Sequence, residues 1–187
     1  IKNIMNKLKN FVTSLHQKTK RNYLARMNDD KISCMKISKK YGSKYWDGNR
    51  RFGYGGYKYI PGRSEKVAKK IINNYKLNEK STILDIGCGK GYLLYEIKKI
   101  LPNIKIIGYD KSHYAIKNSK PEIKKFLKIK KAEKKISFPD KHFDLVLSLG
   151  CLHNLKLFEL ERAINEINRI SKKSYIMVES FRTNAEL

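Results

Sequence analysis

The sequence predicts an α/β protein built on a doubly wound, mostly parallel sheet, and three observations carry that expectation. After residue 81, short apolar runs alternate with helical patterns of roughly ten residues or more, the texture of βαβ units. The first of those runs, Ile83-Leu84-Asp85-Ile86, passes directly into Gly87-Cys88-Gly89-Lys90-Gly91 and then into a helical pattern. A second apolar run ends on an acid, Asp110. A strand, a glycine-rich turn, a helix and a second strand closed by a carboxylate place a ligand at the carboxyl ends of parallel strands.

Taken in order, residues 1–20 put Ile1, Ile4, Met5, Leu8, Phe11, Val12 and Leu15 at helical spacing with lysines opposite, an amphipathic helix expected to pack on the domain. Residues 21–60 show no sustained period and contain Tyr45-Trp46-Asp47-Gly48 through Gly53-Tyr54-Gly55-Gly56-Tyr57, too rich in glycine for a helix and too aromatic for a plain linker. Pro61-Gly62-Arg63-Ser64 reads as a turn into a helix capped by Ser64, with Val67, Ala68, Ile71, Ile72 and Tyr75 as its buried stripe. Beyond it, strands are expected over 82–86, 104–110, 125–133, 143–149 and 174–180, and helices over 91–101, 112–120 and 156–171. The natural division is an N-terminal helix and lid segment, 1–63, and a ligand-binding core, 64–187.

At 187 residues, 41% of them hydrophobic, the chain has enough apolar material for one folded core. Three cysteines, Cys34, Cys88 and Cys151, are widely spaced and odd in number, which argues against a disulfide framework or a zinc cluster, and no metal is expected. No apolar run approaches the roughly 20 residues of a membrane-spanning helix, no secretory signal is recognisable, and a cytoplasmic location is the default expectation although the chain opens on Ile1. A net charge of +25 raises nucleic acid as a partner, because lysine and arginine neutralise phosphates. Lysine far outnumbers arginine and is spread over the whole length, a pattern equally produced by A/T-rich codons.

The glycine turn discriminates among nucleotide ligands. A dinucleotide fingerprint counted from Gly87 requires glycine where Tyr92 stands, and no phosphate-binding G-x-x-x-x-G-K-[ST] run exists. An acid at Asp85, just before the turn, suits a ligand bearing an ammonium or a cationic sulfur rather than a diphosphate. Asp110 can accept both hydroxyls of a ribose, or can simply cap the helix that begins near Ser112.

The pattern Asp85-x-Gly87-x-Gly89-x-Gly91, with Asp110 and Phe143-Asp144-Leu145-Val146 following, resembles class I S-adenosylmethionine-dependent methyltransferases over about residues 64–180. The run Tyr45-Trp46-Asp47-Gly48 to Gly55-Gly56-Tyr57, with Leu152-His153-Asn154-Leu155 after the fourth strand, is similar to a bacterial subgroup of that family. The resemblance implies a Rossmann-like core that binds S-adenosylmethionine and releases S-adenosylhomocysteine. The cofactor residues it implies are Asp85, Gly87, Cys88, Gly89, Gly91, Asp110, Lys111, Ala132, Glu133 and Leu149. Lys131 stands where many relatives carry an aspartate for the adenine amino group, which leaves backbone near Ala132 and the Glu133 carboxylate for that task. Asp144 is expected to support the strand start.

On the acceptor side, His153 can take a proton and Asn154 can orient a nucleophile, or His153 can serve only the loop's own hydrogen bonds. Tyr57 joins them as a catalytic candidate, and Trp46, Tyr54, Tyr57 and Arg63 are expected to form a lid and acceptor wall with Tyr54 and Tyr57 facing the pocket. Arg50 and Arg51 offer further charge for a phosphate or carboxylate. The expected reaction is methyl transfer to an oxygen or nitrogen of a small-molecule or sugar-containing acceptor. The competing readings are an RNA or other nucleic-acid methyltransferase and a non-catalytic nucleoside-binding fragment. The family's C-terminal antiparallel hairpin is expected to be missing after the fifth strand, leaving a sheet edge through which a homodimer could form.

Overall fold

The computed structural model describes residues 9, 11, 12 and 28–177. The helix expected over 1–20 and the last residues of the strand expected over 174–180 fall outside these, apart from Lys9, Phe11 and Val12. Those residues do pack on the core: Val12 is buried, and the Phe11 ring lies 4.8 Å from that of Tyr175 and 6.3 Å from that of Tyr75.

In chain order the described elements are helix α1 (Lys31–Ser38), α2 (Ser43–Trp46), a 3-10 turn (Arg50–Phe52), α3 (Glu65–Tyr75), β1 (Thr82–Ile86) and α4 (Tyr92–Ile100). They continue with β2 (Lys105–Asp110), α5 (His113–Lys117), α6 (Pro121–Lys124), β3 (Leu127–Ile129), β4 (Leu145–Leu149), a second 3-10 turn (Leu152–Asn154), α7 (Leu157–Ile170) and β5 (Ser174–Met177). The strands form one sheet in the order β3-β2-β1-β4-β5, parallel at every pairing. This is the α/β, doubly wound arrangement expected from the alternating pattern.

The period of two along each strand divides the core. Ile83 of β1 and Leu145 and Leu147 of β4 enter one apolar cluster with Val67, Ala68 and Ile71 of α3 and Leu94 and Ile97 of α4. Their neighbours Leu84, Ile86 and Val146 enter a second cluster, with Ala163, Ile167 and Ile170 of α7. A parallel sheet buried on both faces needs such runs of aliphatic residues, and the central strands supply them.

Four expectations need correction. Ser64 adopts a helical backbone and makes no side-chain cap, because Pro61-Gly62 starts the turn one residue earlier than a cap requires. The strand expected over 125–133 shrinks to Leu127–Ile129, since the lysines on either side gain nothing from burial at a sheet edge. The helix expected over 112–120 ends at Lys117, and a separate turn of helix begins at Pro121, whose ring fits the first helical position. The strand expected over 143–149 begins at Leu145, with Phe143 making only an isolated bridge to Ser171. Asp144 stands at the amino end of the sheet, where it accepts from the Thr82 amide (2.8 Å) and hydroxyl (3.0 Å) and pairs with Lys172 (2.9 Å). It pins β1 to β4, as expected for a structural acid.

Candidate active site

Parallel strands direct their carboxyl ends to one edge of the sheet, and the β1 and β2 ends are cross-linked there. The amides of Gly87 and Cys88 both donate to the Tyr109 carbonyl, at 2.7 and 3.0 Å, and the Gly89 amide donates to Asp110 Oδ2 at 2.8 Å. Asp110 Oδ1 accepts from the Ser112 amide at 2.8 Å. Ser112, not Asp110, caps α5, its hydroxyl accepting from the Ala115 amide at 3.0 Å. Each Asp110 oxygen therefore keeps an acceptor position after serving the backbone. Burial pushes the Asp110 carboxyl upward, while the Ser112 and Gly89 amides and the charge of Lys111 act against that rise.

The three motif glycines serve three different purposes. All have positive φ, between 57° and 82°, which a side chain would strain. A Cβ on Gly87 would strike the Cys151 side chain across the cavity floor. On Gly89 it would come within 2.9 Å of the Trp46 ring, and on Gly91 within 2.7 Å of Ile123 and 2.9 Å of Leu127. Gly87 thus opens the floor, Gly89 receives the lid, and Gly91 lets α4 settle onto α6 and β3.

Beside this loop lies an open cavity, lined in part by Gly87, Asp110, Lys111, Ala132, Glu133 and Leu149. Gly150, Cys151, Asn154 and Leu155 continue the wall from the β4 loop, and Lys130 reaches it from the end of β3. Tyr41, Tyr45, Trp46 and Tyr54 close it from the lid. Trp46 and Tyr54 stack at 5.1 Å and 3°, and Tyr45 meets both edge-on, at 5.2 and 5.5 Å. The Trp46 indole donates to Ser112 Oγ at 2.8 Å and to the Tyr41 carbonyl at 3.1 Å, which ties the lid to the loop after β2. Lys111 Nζ sits 3.9 Å from the Tyr41 ring centre.

Most of the expected cofactor residues therefore meet at one cavity, and several expected residues do not reach it. Asp85, Cys88, Gly89 and Gly91 lie beneath or behind the wall. His153 is exposed, with Nε2 3.1 Å from the Asn154 amide nitrogen; only Asn154 of that pair lines the cavity. Arg63 is exposed and away from the lining. Of the two tyrosines expected to face the pocket, Tyr54 does. The Tyr57 ring is instead sandwiched, 4.6 Å from Tyr54 and 5.2 Å from Tyr92, because its backbone is held from both sides by Asp47 and Lys90. The residues that sequence reasoning left out of the site are Tyr41, Tyr45, Lys130 and Leu155.

The chemistry of this donor set fits S-adenosylmethionine. Asp85 is 4% exposed and has no hydrogen-bond partner among the described residues. Burial, and secondarily the charge of Asp110, lifts its carboxyl to about 7. An orphaned buried carboxylate at the end of β1 is the complement of a ligand ammonium. Cys151, by contrast, is a poor nucleophile here, since burial and the nearby acids push its thiol up to about 12.

Comparison with known proteins agrees with this geometry. Over 95 residues, 51% of this chain, the sequence is 35% identical to the arginine-hydroxylase NDUFAF5, mitochondrial, of Rattus norvegicus and 34% identical to that of Mus musculus. The chain spans about a quarter of the length of these relatives, 27% in each case. Among solved structures, the PH0226 protein from Pyrococcus horikoshii superposes with a TM-score of 0.53 at 22% identity, covering 72% of this chain and 62% of that one, which shows a shared fold. A family model described as a methyltransferase domain matches residues 77–187, the stretch that carries the glycine turn, Asp110 and the β4 loop. The chain therefore belongs to the methyltransferase-domain family.

Proposed function

We propose that this methyltransferase modifies an oxygen or nitrogen atom of a small-molecule or sugar-containing acceptor held against the aromatic lid. The observation that carries this reading is the composition of the lid wall. Tyr41, Tyr45 and Tyr54 line the cavity, and their hydroxyls have no hydrogen-bond partner among the described residues. Burial raises all three phenols above their usual range, so they remain neutral donors and acceptors at working pH. Flat faces joined to neutral hydroxyls suit a ring or sugar bearing hydroxyl or amino groups.

S-adenosylmethionine supplies an electrophilic methyl on a sulfonium, which a nucleophile displaces in line. The protein's contribution is position and electrostatics. Asp110 would hold the ribose hydroxyls through the acceptor positions left by Gly89 and Ser112. Ala132, Glu133 and Leu149, with Lys111 at the same rim, would border the adenine. Asp85, beneath Gly87, would balance the ammonium end. Asn154, on the 3-10 turn after β4, orients the acceptor atom. His153 stands next to it on the same turn but is exposed and outside the cavity lining, so the proton that the acceptor loses passes to solvent. The lid segment from Tyr41 to Tyr59 covers the carboxyl edge of the sheet and excludes water.

The relative named for arginine hydroxylation shares the core over about half of this chain and leaves the acceptor of this protein open. The deciding experiment incubates the protein with methyl-labelled S-adenosylmethionine and fractionated cell extract, with and without nuclease. Label in a nuclease-resistant, small-molecule fraction is the expected result. Label lost with nuclease would transfer the assignment to a nucleic-acid acceptor, and label in no fraction would leave only cofactor binding.

A further inference from the structure

Lys90 lies inside the glycine turn, at a position where its neighbours on both sides are glycines, yet it is 4% exposed. A lysine is almost never so buried unless its charge is matched. Its Nζ donates to both oxygens of Asp47, at 2.9 Å each, and to the Tyr57 carbonyl at 2.8 Å, which uses all three of its protons. Asp47 in turn accepts from the Tyr57 amide on Oδ1 at 3.1 Å and from the Tyr114 hydroxyl on Oδ2 at 2.9 Å. Burial opposes the charge of Asp47, but hydrogen bonds from Lys90 and Tyr114 outweigh it and hold the carboxyl below its usual range. The network is complete, and it joins three separate parts of the chain: the lid, the turn after β1 and the helix after β2.

The network lies just behind the cavity wall. Asp47 follows Trp46, whose ring covers Gly89; Lys90 follows Gly89; and Tyr114 belongs to α5, whose cap Ser112 accepts the Trp46 indole N–H. The lid meets the core elsewhere through ring contacts of Tyr57 and Tyr59 with Tyr92 and Tyr95 and through the bond from the Tyr59 hydroxyl to the buried Glu96, but the Lys90–Asp47 pair is its ionic contact with the turn. The Asp47 side chain is 28% exposed, so water can reach the ion pair from the lid side when the two separate.

We propose that Lys90 and Asp47 form a clasp that locks the aromatic lid onto the cofactor-binding turn, making Lys90 a positioning residue through which cofactor binding and lid closure become a single event. The inference rests on reading the lid as the acceptor wall, and it goes beyond that reading by naming the latch. Anything that orders the turn around the cofactor orders Lys90, and Lys90 orders Asp47, Trp46 and Tyr57. Reciprocity follows, because a closed lid must raise cofactor affinity by the factor with which cofactor favours closure.

Trp46 is the only tryptophan in the chain, so its fluorescence reports the lid alone. The test is a double-mutant cycle of Lys90→Met, Asp47→Asn and the pair together, read by acrylamide quenching of Trp46 and by calorimetric titration with S-adenosylhomocysteine. Each single variant is expected to raise quenching and to weaken S-adenosylhomocysteine roughly 5- to 150-fold, the usual span of coupling between sites. The double variant is expected to cost no more than the worse single one. Additive losses, or quenching and affinity both within twofold of wild type, would overturn the clasp. Tyr114→Phe removes one bond and keeps the ion pair. Should Lys90→Met not fold, this variant is expected to move both readouts in the same direction by less, and no movement in either would overturn the proposal. A wild-type protein that fails to bind S-adenosylhomocysteine would strike at the cofactor site instead, while Trp46 quenching still decides the clasp.

Discussion

The floor of the site and its lid are held by different kinds of contact. The floor, where β1, β2 and β4 end, is set by parallel strand register and by amides that donate to Tyr109 and Asp110. These bonds are local to adjacent strands and follow from the sheet itself. The lid, from Tyr41 to Tyr59, contains only one short helix and one 3-10 turn. Stacked rings, one buried ion pair and the Trp46 bond to Ser112 hold it in place. A floor built this way is fixed by backbone bonds between strands, whereas the lid is fixed by side chains, which single substitutions can remove.

The sharpest way to break that contrast is Asp110→Ala, which removes the proposed ribose acceptor and the partner of the Gly89 amide in one step. S-adenosylhomocysteine affinity should fall on the order of 100-fold, since hydrogen bonds to charged groups are among the strong ones. Calorimetry measures it, and an unchanged affinity would move the cofactor away from this rim.

A second test uses the pH dependence of the floor. Asp85, with its folded value near 7, lies above the usual carboxylate range. The folded state therefore binds a proton more tightly than the unfolded chain across the window from about 4 to about 7. This group's contribution is most favourable below that window and is lost as pH rises through it. Asp85→Asn should remove the slope and, without ligand, stabilise the protein at pH 8 by a few kcal/mol, as read from thermal melts across pH. With wild type, S-adenosylhomocysteine binding at pH 6.5 should release protons, because a ligand ammonium favours the ionised carboxylate. Titrations in buffers of different ionisation enthalpy detect that release.

The lid is tested by Gly89→Ala, which sets a methyl against the Trp46 ring at a backbone φ of 57°. A loss of about 1–3 kcal/mol is expected, together with increased Trp46 quenching. The smallest effect belongs to Arg51→Ala. Arg51 pairs with Asp29 at the surface, and exposed pairs contribute about 1 kcal/mol or less. A change in S-adenosylhomocysteine affinity in that variant would mean that the outer face of the lid also governs the site.

Legibility followed the same division. The glycine turn, Asp110 and the strands TILDI and FDLVLSL are local patterns, and each could be read from the residues that make it. Asp144 was legible as a structural acid for a similar reason, standing where a strand begins. The Tyr41–Tyr45–Trp46 face, the burial of Lys90 and the outward position of His153 could not be read in this way, because each depends on the conformation of a segment without a periodic pattern. Lys90 looked like one more solvated lysine among many until Asp47, 43 residues earlier, was found against it.

The sequence by itself determined that a parallel sheet would present a glycine turn and two acids at one edge, because hydrophobic period, backbone freedom and charge at strand ends act over neighbouring residues. Only the tertiary structure decided which aromatic rings close the cavity, which motif glycine meets the lid and which lysine is latched beneath it. Those outcomes follow from side chains packing across loops whose conformations carry no periodic signal, where a single long-range contact such as Asp47 with Lys90 selects one arrangement.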